Sequence, residues 1–341
     1  MRLIDQSPEV SPERIMAELV PPPRFGSVSF DSYLPDPSQP TQAAAVAALR
    51  VFAASVGKPE KGASRWRRKA APPEMRAGVY LDGGFGVGKT HLLAATWHAA
   101  QGPKAFGTFV VFTNLVGALG FNEAVQRLSQ YALVCIDEFE LDDPGDTVLM
   151  STLLNKLVDA GVKLAATSNT LPDKLGEGRF AADDFMREIQ GLSAHFDVLR
   201  IDGEDYRHRG LPDAPEPLED AAVVAHAAAT PSSTLDEFRA LQDHLATVHP
   251  SKYGAMLDGV EVVHLTGVHT LSDQMKALRL VSLADRLYDR DIPVVTSGVP
   301  LDQLFSTEML QGGYRKKYLR AASRLVALAR EGGGLVERGL G

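Results

Sequence analysis

The chain has 341 residues, with 35 Lys+Arg against 43 Asp+Glu, a formal net charge of −8. That balance is too small for an acidic tail protein and has the wrong sign for a chain that coats nucleic acid, so any such contact must be local. Hydrophobic residues make up 45% and charged residues 23%, the composition of a soluble globular chain with about two domains. The single cysteine, Cys135, rules out an intramolecular disulfide and favours a reducing, cytoplasmic setting. The opening MRLIDQSPEVSPER lacks the basic-then-apolar order of a signal peptide. No apolar run reaches the roughly 20 residues of a spanning helix, and AAVVAHAAA at 221–229 comes nearest.

Eight of the 21 prolines fall in residues 1–40. Proline fixes φ and removes a backbone donor, so this stretch is expected to be an extended arm. A core is expected over 41–201. It opens with TQAAAVAALRVFAASV (41–56), read as a helix capped by Thr41. The basic segment 58–69 follows, with Lys58, Lys61, Arg65, Arg67, Arg68 and Lys69 against Glu60, and reads as an exposed loop. Strands are then expected at 78–82, 105–113, 131–137, 162–168 and 196–201. Helices are expected between them at 88–100, 115–129, 146–160 and 183–194. Five such strands separated by helical periods predict an α/β fold, a parallel sheet with helices on both faces. Residues 202–230 read as an acidic, Pro-containing linker. Residues 231–341 read as a smaller, mainly helical region with one strand, IPVVTS at 292–297. The string 283–304 echoes 153–175, as convergent helix–turn–strand units or as a strand added to the same sheet.

The strongest chemical signal is GGFGVGKT, which fits GxxxxGK[ST] between a predicted strand and a predicted helix. It assigns nucleotide contacts to Gly83, Gly84, Phe85, Gly86, Val87, Gly88, Lys89 and Thr90, with His91 following on the helix. Inward-turned N–H groups and the helix N-terminus cradle phosphates, Lys89 adds a point charge, and the Thr90 hydroxyl is a candidate Mg2+ ligand. LVCIDE (133–138) supplies the metal-side acid Asp137 and then Glu138, placed to orient and deprotonate the attacking water. The next strand ends in Thr167-Ser168-Asn169, making Asn169 a candidate sensor of the γ-phosphate. Together these motifs predict a P-loop NTPase of AAA+ type that binds ATP and Mg2+. Its trans-acting arginine is sought in Arg179 or Arg187, and Arg279 is a candidate sensor in cis. A finger acting in trans needs a neighbouring copy, so a homo-oligomer on nucleotide binding is expected. Cys135, inside the strand that carries Asp137, is expected to pack beneath the site.

The chain resembles the ZapE-type cell-division ATPases and their mitochondrial relatives. The resemblance rests on VYLDGGFGVGKTHLL, on IDEFELDDPGDTVLMSTLLNKLVDAGVKLAATSNTLPDKL, on GEDYR at 203–207, and on RLVSLADRLYDRDIPVV and GYRKKYLRAASRLVAL. It covers most of 35–330 and implies Mg2+-dependent ATP hydrolysis and, for bacterial members, association with FtsZ at the division site. Family members carry Gly-Leu-Gln-Arg after the sensor, whereas this chain has Gly176-Glu177-Gly178-Arg179, so Arg179 is the nearest match and Arg187 the fallback. The family's paired arginines are reduced to Leu278-Arg279-Leu280. Gln42 resembles the glutamine near the start of family members, which implies a place for it near the adenine; the other reading is an exposed polar residue in the first helical turn. GVGKTHLL also resembles helicase loaders, and the basic segment 58–69 with Trp66 could meet nucleic acid, an acidic protein tail, or only solvent. A nucleotide-gated scaffold with negligible turnover is disfavoured by the intact Lys89, Asp137 and Glu138.

Overall fold

Strands that are apolar on both faces are buried only if helices cover both sides of their sheet. The computed structural model describes residues 1–57, 76–84, 86–140, 144–171, 186–203 and 214–339. Its first sheet contains β1 (Gly78–Gly83), β2 (Lys104–Thr108), β3 (Leu133–Asp137), β4 (Lys163–Ser168) and β5 (Phe196–Ile201). The strands are all parallel, in the order β2-β3-β4-β1-β5. The helices of this part are α1 (Pro12–Ala17), α2 (Pro40–Ser55), α3 (Lys89–Ala99), α4 (Phe109–Leu119), α5 (Phe121–Leu128), α6 (Pro144–Asp159) and α7 (Met186–Ser193). Alternate strand residues serve opposite cores. Val79, Leu81, Leu133 and Cys135 pack with Leu49 and Phe52 of α2 and Leu92 of α3. Tyr80, Val134, Ile136 and Leu164 pack with Phe112 of α4, Leu128 of α5 and Leu153 of α6. Among the described residues this is the expected α/β arrangement, a five-stranded parallel sheet covered by helices on both faces.

The strand expected at 105–113 ends at Thr108, and α4 begins at Phe109. Phe109, Phe112 and Val116 recur at helical spacing and are all buried, and that stripe overrides the β propensity of Val110 and Val111. The single helix expected at 115–129 is broken at Gly120, whose φ is +81°, leaving α4 and α5. Thr41 is not a cap: Gln39 holds the cap position and Pro40 opens the helix. The Thr41 hydroxyl instead accepts the Asp202 N–H at 3.0 Å.

The chain folds as two compact units. One comprises Ser11–Pro21 and Phe25–Arg209, and the other Met1–Val10, Pro22–Arg24 and Gly210–Gly341. The proline-rich arm is therefore divided between them, and it is not extended throughout. Ser11 accepts the Arg14 N–H to cap α1, and Pro12 occupies the first helical turn. In the second unit the N–H groups of Leu3 and Ile4 donate to the Asp236 carboxylate at 2.8 and 3.2 Å.

The second unit contains α8 (Asp220–Ala229), β6 (Ser233–Glu237), α9 (Phe238–Thr247), α10 (Tyr253–Met256), β7 (Val262–Val268), α11 (Gln274–Asp289), β8 (Val294–Gly298) and α12 (Arg315–Gly339). It is mainly helical but holds three strands instead of one, parallel in the order β6-β7-β8. The strand at 292–297 thus joins this separate sheet and adds nothing to the first. Residues 220–229, read as part of the linker, form α8, whose Val223 packs on Val262 and Val295. Asp285 of α11 receives Arg320 of α12 at 2.7 Å and also Arg324. Burial pushes its carboxyl up, but the two guanidiniums outweigh that and hold it below the usual range. Among the described residues no helix is long and apolar enough to cross a membrane.

Candidate nucleotide-binding site

β1 runs into the glycine-rich loop, and its last residue sits against β5. A Cβ on Gly83 would lie 2.3 Å from the Ile201 carbonyl oxygen, so no side chain fits there. Just before it, buried Asp82 pairs with Arg200 of β5, whose Nε also donates to Asp202 at 2.9 Å. The loop ends at Gly88, with φ +86°, which serves as N-cap of α3. Beginning a helix there aims its first N–H groups and its positive end at the loop. Lys89 lies across that turn: its ammonium donates to the Gly83 and Gly84 carbonyls at 2.9 and 2.5 Å and to Asn169 Oδ1 at 2.8 Å. These acceptors fix a positive charge at the loop.

The Thr90 hydroxyl donates to the two Asp137 carboxylate oxygens at 3.2 and 3.0 Å. Mg2+ binds oxygens at about 2.0–2.1 Å with octahedral geometry, so neighbouring ligands sit about 2.9 Å apart. The spacing and the hard-oxygen chemistry of this pair fit that ion.

Sheet order brings the third motif in. In sequence β4 follows β3, but in space it lies between β1 and β3, so its tip reaches both. The Thr167 hydroxyl donates to Asp137 and accepts the Glu138 N–H at 3.0 Å, while the Thr167 carbonyl accepts the Phe139 N–H at 2.7 Å. Between these contacts Glu138 adopts φ +54°, a left-handed conformation that costs a non-glycine residue on the order of 1 kcal/mol or more. Asn169 connects the two halves, with Oδ1 on Lys89 and Nδ2 at a long 3.5 Å from Glu140 Oε1. The loop after Asn169 is tied to β1 by the Tyr80 hydroxyl, which donates to the Thr170 carbonyl at 2.8 Å.

Replacing Thr167 by valine preserves shape and removes the hydroxyl that donates to the Asp137 carboxylate and accepts the Glu138 N–H. A hydrogen bond to a charged group is worth about 1.5–3 kcal/mol, so steady-state phosphate release by Thr167→Val should fall about 10- to 100-fold. Thr167→Ser should restore most of it. A valine variant with unchanged turnover would remove Thr167 from the site's machinery.

The structure thus brings together Gly83, Gly84, Gly86, Val87, Gly88, Lys89, Thr90, Asp137, Glu138 and Asn169. Phe85, Arg179 and the basic segment 58–69 lie outside the described residues, as does the side chain of Arg187, whose backbone belongs to α7. Arg279 is in the second unit, where its Nη1 donates to the Val248 carbonyl at 2.8 Å. Gln42 is buried, not exposed: its Oε1 accepts the Asp36 N–H and its Nε2 donates to the Asp202 carbonyl, both at 2.8 Å. It bridges the Asp36 and Asp202 backbones. His91 directs its ring to Ser32 Oγ and the Ser29 carbonyl at 3.0 and 3.1 Å, and burial lowers its pKa. Cys135 is fully buried under Asp137, and burial pushes its thiol up, away from thiolate chemistry. Sequence reasoning missed Thr167, Glu140, the Asp82–Arg200 pair and Tyr33, whose hydroxyl donates to the Val87 carbonyl at 2.8 Å.

A protein-family model described as AFG1-like ATPase matches residues 9–230 and 214–332. The cell division protein ZapE of Escherichia coli (strain K12) is 27% identical over 297 residues, covering 74% of this chain and 78% of that protein. Among solved structures, the replication initiator DnaA bound to AMPPCP and single-stranded DNA covers 91% of each chain at 12% identity with a TM-score of 0.41. The DnaC helicase loader covers 52% of this chain and 99% of its own at 18% identity, with a TM-score of 0.37. Because the family match runs over nearly the whole chain, the protein belongs to the AFG1-like ATPase family and is an ATPase.

Proposed function

We propose that this chain hydrolyses ATP in a Mg2+-dependent reaction and uses it to regulate a protein assembly, the FtsZ division ring of a bacterial cytoplasm. The observation that carries the chemistry is that consecutive residues of the loop end reach the two strand tips, Lys89 bonding Asn169 and Thr90 bonding Asp137. In this reading the N–H groups at the start of α3 and the Lys89 ammonium bind and orient the β- and γ-phosphates. Thr90 and Asp137 would hold Mg2+, which when bound supplies charge neutralisation at those phosphates. Glu138 takes the proton from the attacking water, and Asn169 reports the γ-phosphate to the Lys89 side of the site. Gln42 shapes the adenine side. An arginine of a neighbouring copy, Arg179 or else Arg187, completes the site in an oligomer, and Arg279 is proposed as the sensor in cis.

The division role is supported by similarity to ZapE, named a cell division protein. Co-sedimentation with FtsZ polymers tests it. The chain should pellet with the polymers in the presence of ATP, and the Lys89→Ala variant should lose the ATP dependence. Equal pelleting with and without ATP would separate the ATPase from the division ring.

A further inference from the structure

The Tyr33 hydroxyl reaches 54 positions along the sequence to the Val87 carbonyl at 2.8 Å. Its ring lies against the next residue so closely that a Cβ on Gly88 would come within 2.5 Å of it. The neighbouring serines grip the first turn of α3 through His91, and the Tyr33 and His91 rings meet edge to face at 5.7 Å. All these contacts join residues 29–33 to the end of the loop and the first turn of α3. A trans peptide is planar, with its C=O and N–H pointing in opposite directions. A Val87 carbonyl held by the Tyr33 hydroxyl therefore turns the Gly88 N–H away from Tyr33, leaving it free to meet a phosphate from the opposite side.

We propose that Tyr33 is a positioning residue for nucleotide binding, which presets the Val87–Gly88 peptide so that the Gly88 N–H faces the phosphates. This rests on the reading of Gly83–Thr90 as the nucleotide loop. The phenol suits the task because burial pushes its pKa up to about 12, so it stays a donor at any working pH. The left-handed φ of +86° at Gly88 and the absence of a side chain there let the ring close on the loop. Preorganisation of this kind acts on binding and leaves the chemical step to Glu138.

Tyr33→Phe deletes one oxygen and keeps the ring. Calorimetric titration should give ADP and ATPγS affinities about five- to tenfold weaker than wild type for both nucleotides, the cost of one neutral hydrogen bond. At saturating ATP, kcat should stay within about twofold while KM rises in step with the affinity loss. A structural defect would instead lower kcat and the unliganded thermal midpoint together, and that result would overturn the proposal. So would Tyr33→Phe affinities equal to wild type while Lys89→Ala fails to bind. If Lys89→Ala also binds like wild type, the nucleotide-loop reading itself is wrong, and the role of Tyr33 falls with it.

Discussion

Glu138→Gln should retain ATP and lose turnover by about 10²–10⁴-fold, the range that a positioned general base contributes. The substitution exchanges one oxygen for nitrogen, so the phosphate loop and the Thr90–Asp137 pair are left intact. What disappears is the ability to take a proton. The position of Glu138 depends on its backbone: φ is +54°, its N–H is held by the Thr167 hydroxyl, and the following N–H is held by the Thr167 carbonyl. Strain of this sort persists where surrounding contacts over-determine it. The variant should therefore fold as wild type does and trap nucleotide. Phosphate release together with filter retention of radiolabelled ATP reads both effects, and unchanged turnover would remove Glu138 as the base.

Lys89→Ala should fail one step earlier, at binding. Its ammonium is fixed by the Gly83 and Gly84 carbonyls and by Asn169, which places its charge at the loop proposed to hold the phosphates. Losing two charge-assisted hydrogen bonds to phosphate oxygens, at about 1.5–3 kcal/mol each, should weaken ATP at least about 100-fold. It also removes the partner of Asn169 Oδ1, the proposed sensor's link to the loop. The simplest readout is thermal. Saturating nucleotide should raise the midpoint of the wild-type chain by mass action, and the same concentration should leave Lys89→Ala unmoved. A wild-type midpoint shift in the variant would mean that nucleotide binds elsewhere.

The first unit was readable because its signals are local. Apolar strands and a strand–loop–helix string keep their meaning wherever they occur, so the five strands form the expected sheet, Lys89 opens α3, Asp137 ends β3 and Asn169 follows β4. Thr167 was not readable as a site residue, because its contact with Asp137 exists only once β4 has inserted between β1 and β3. Tyr33 and Arg200 were hidden for the same reason, since their partners are distant in sequence or lie on a neighbouring strand. The second unit defeated the strand patterns for a different reason. β6, Ser233–Glu237, carries two acids. One of them, Asp236, is buried because the Leu3 and Ile4 N–H groups, more than two hundred residues away, satisfy it. β7 contains a fully buried His264, whose Nδ1 donates to the Thr234 carbonyl and whose other nitrogen meets His226 at 2.8 Å. Polar residues satisfied across long separations read as loop in any local window.

The most direct measurement is phosphate release from ATP by the wild-type chain in Mg2+, with bound nucleotide determined in the same samples and a parallel set treated with chelator. Repeated turnovers in Mg2+ that stop on chelation are expected from a site built on Lys89, Thr90, Asp137 and Glu138. ATP bound in a Lys89-dependent manner with no phosphate released would instead make the protein a nucleotide-gated scaffold.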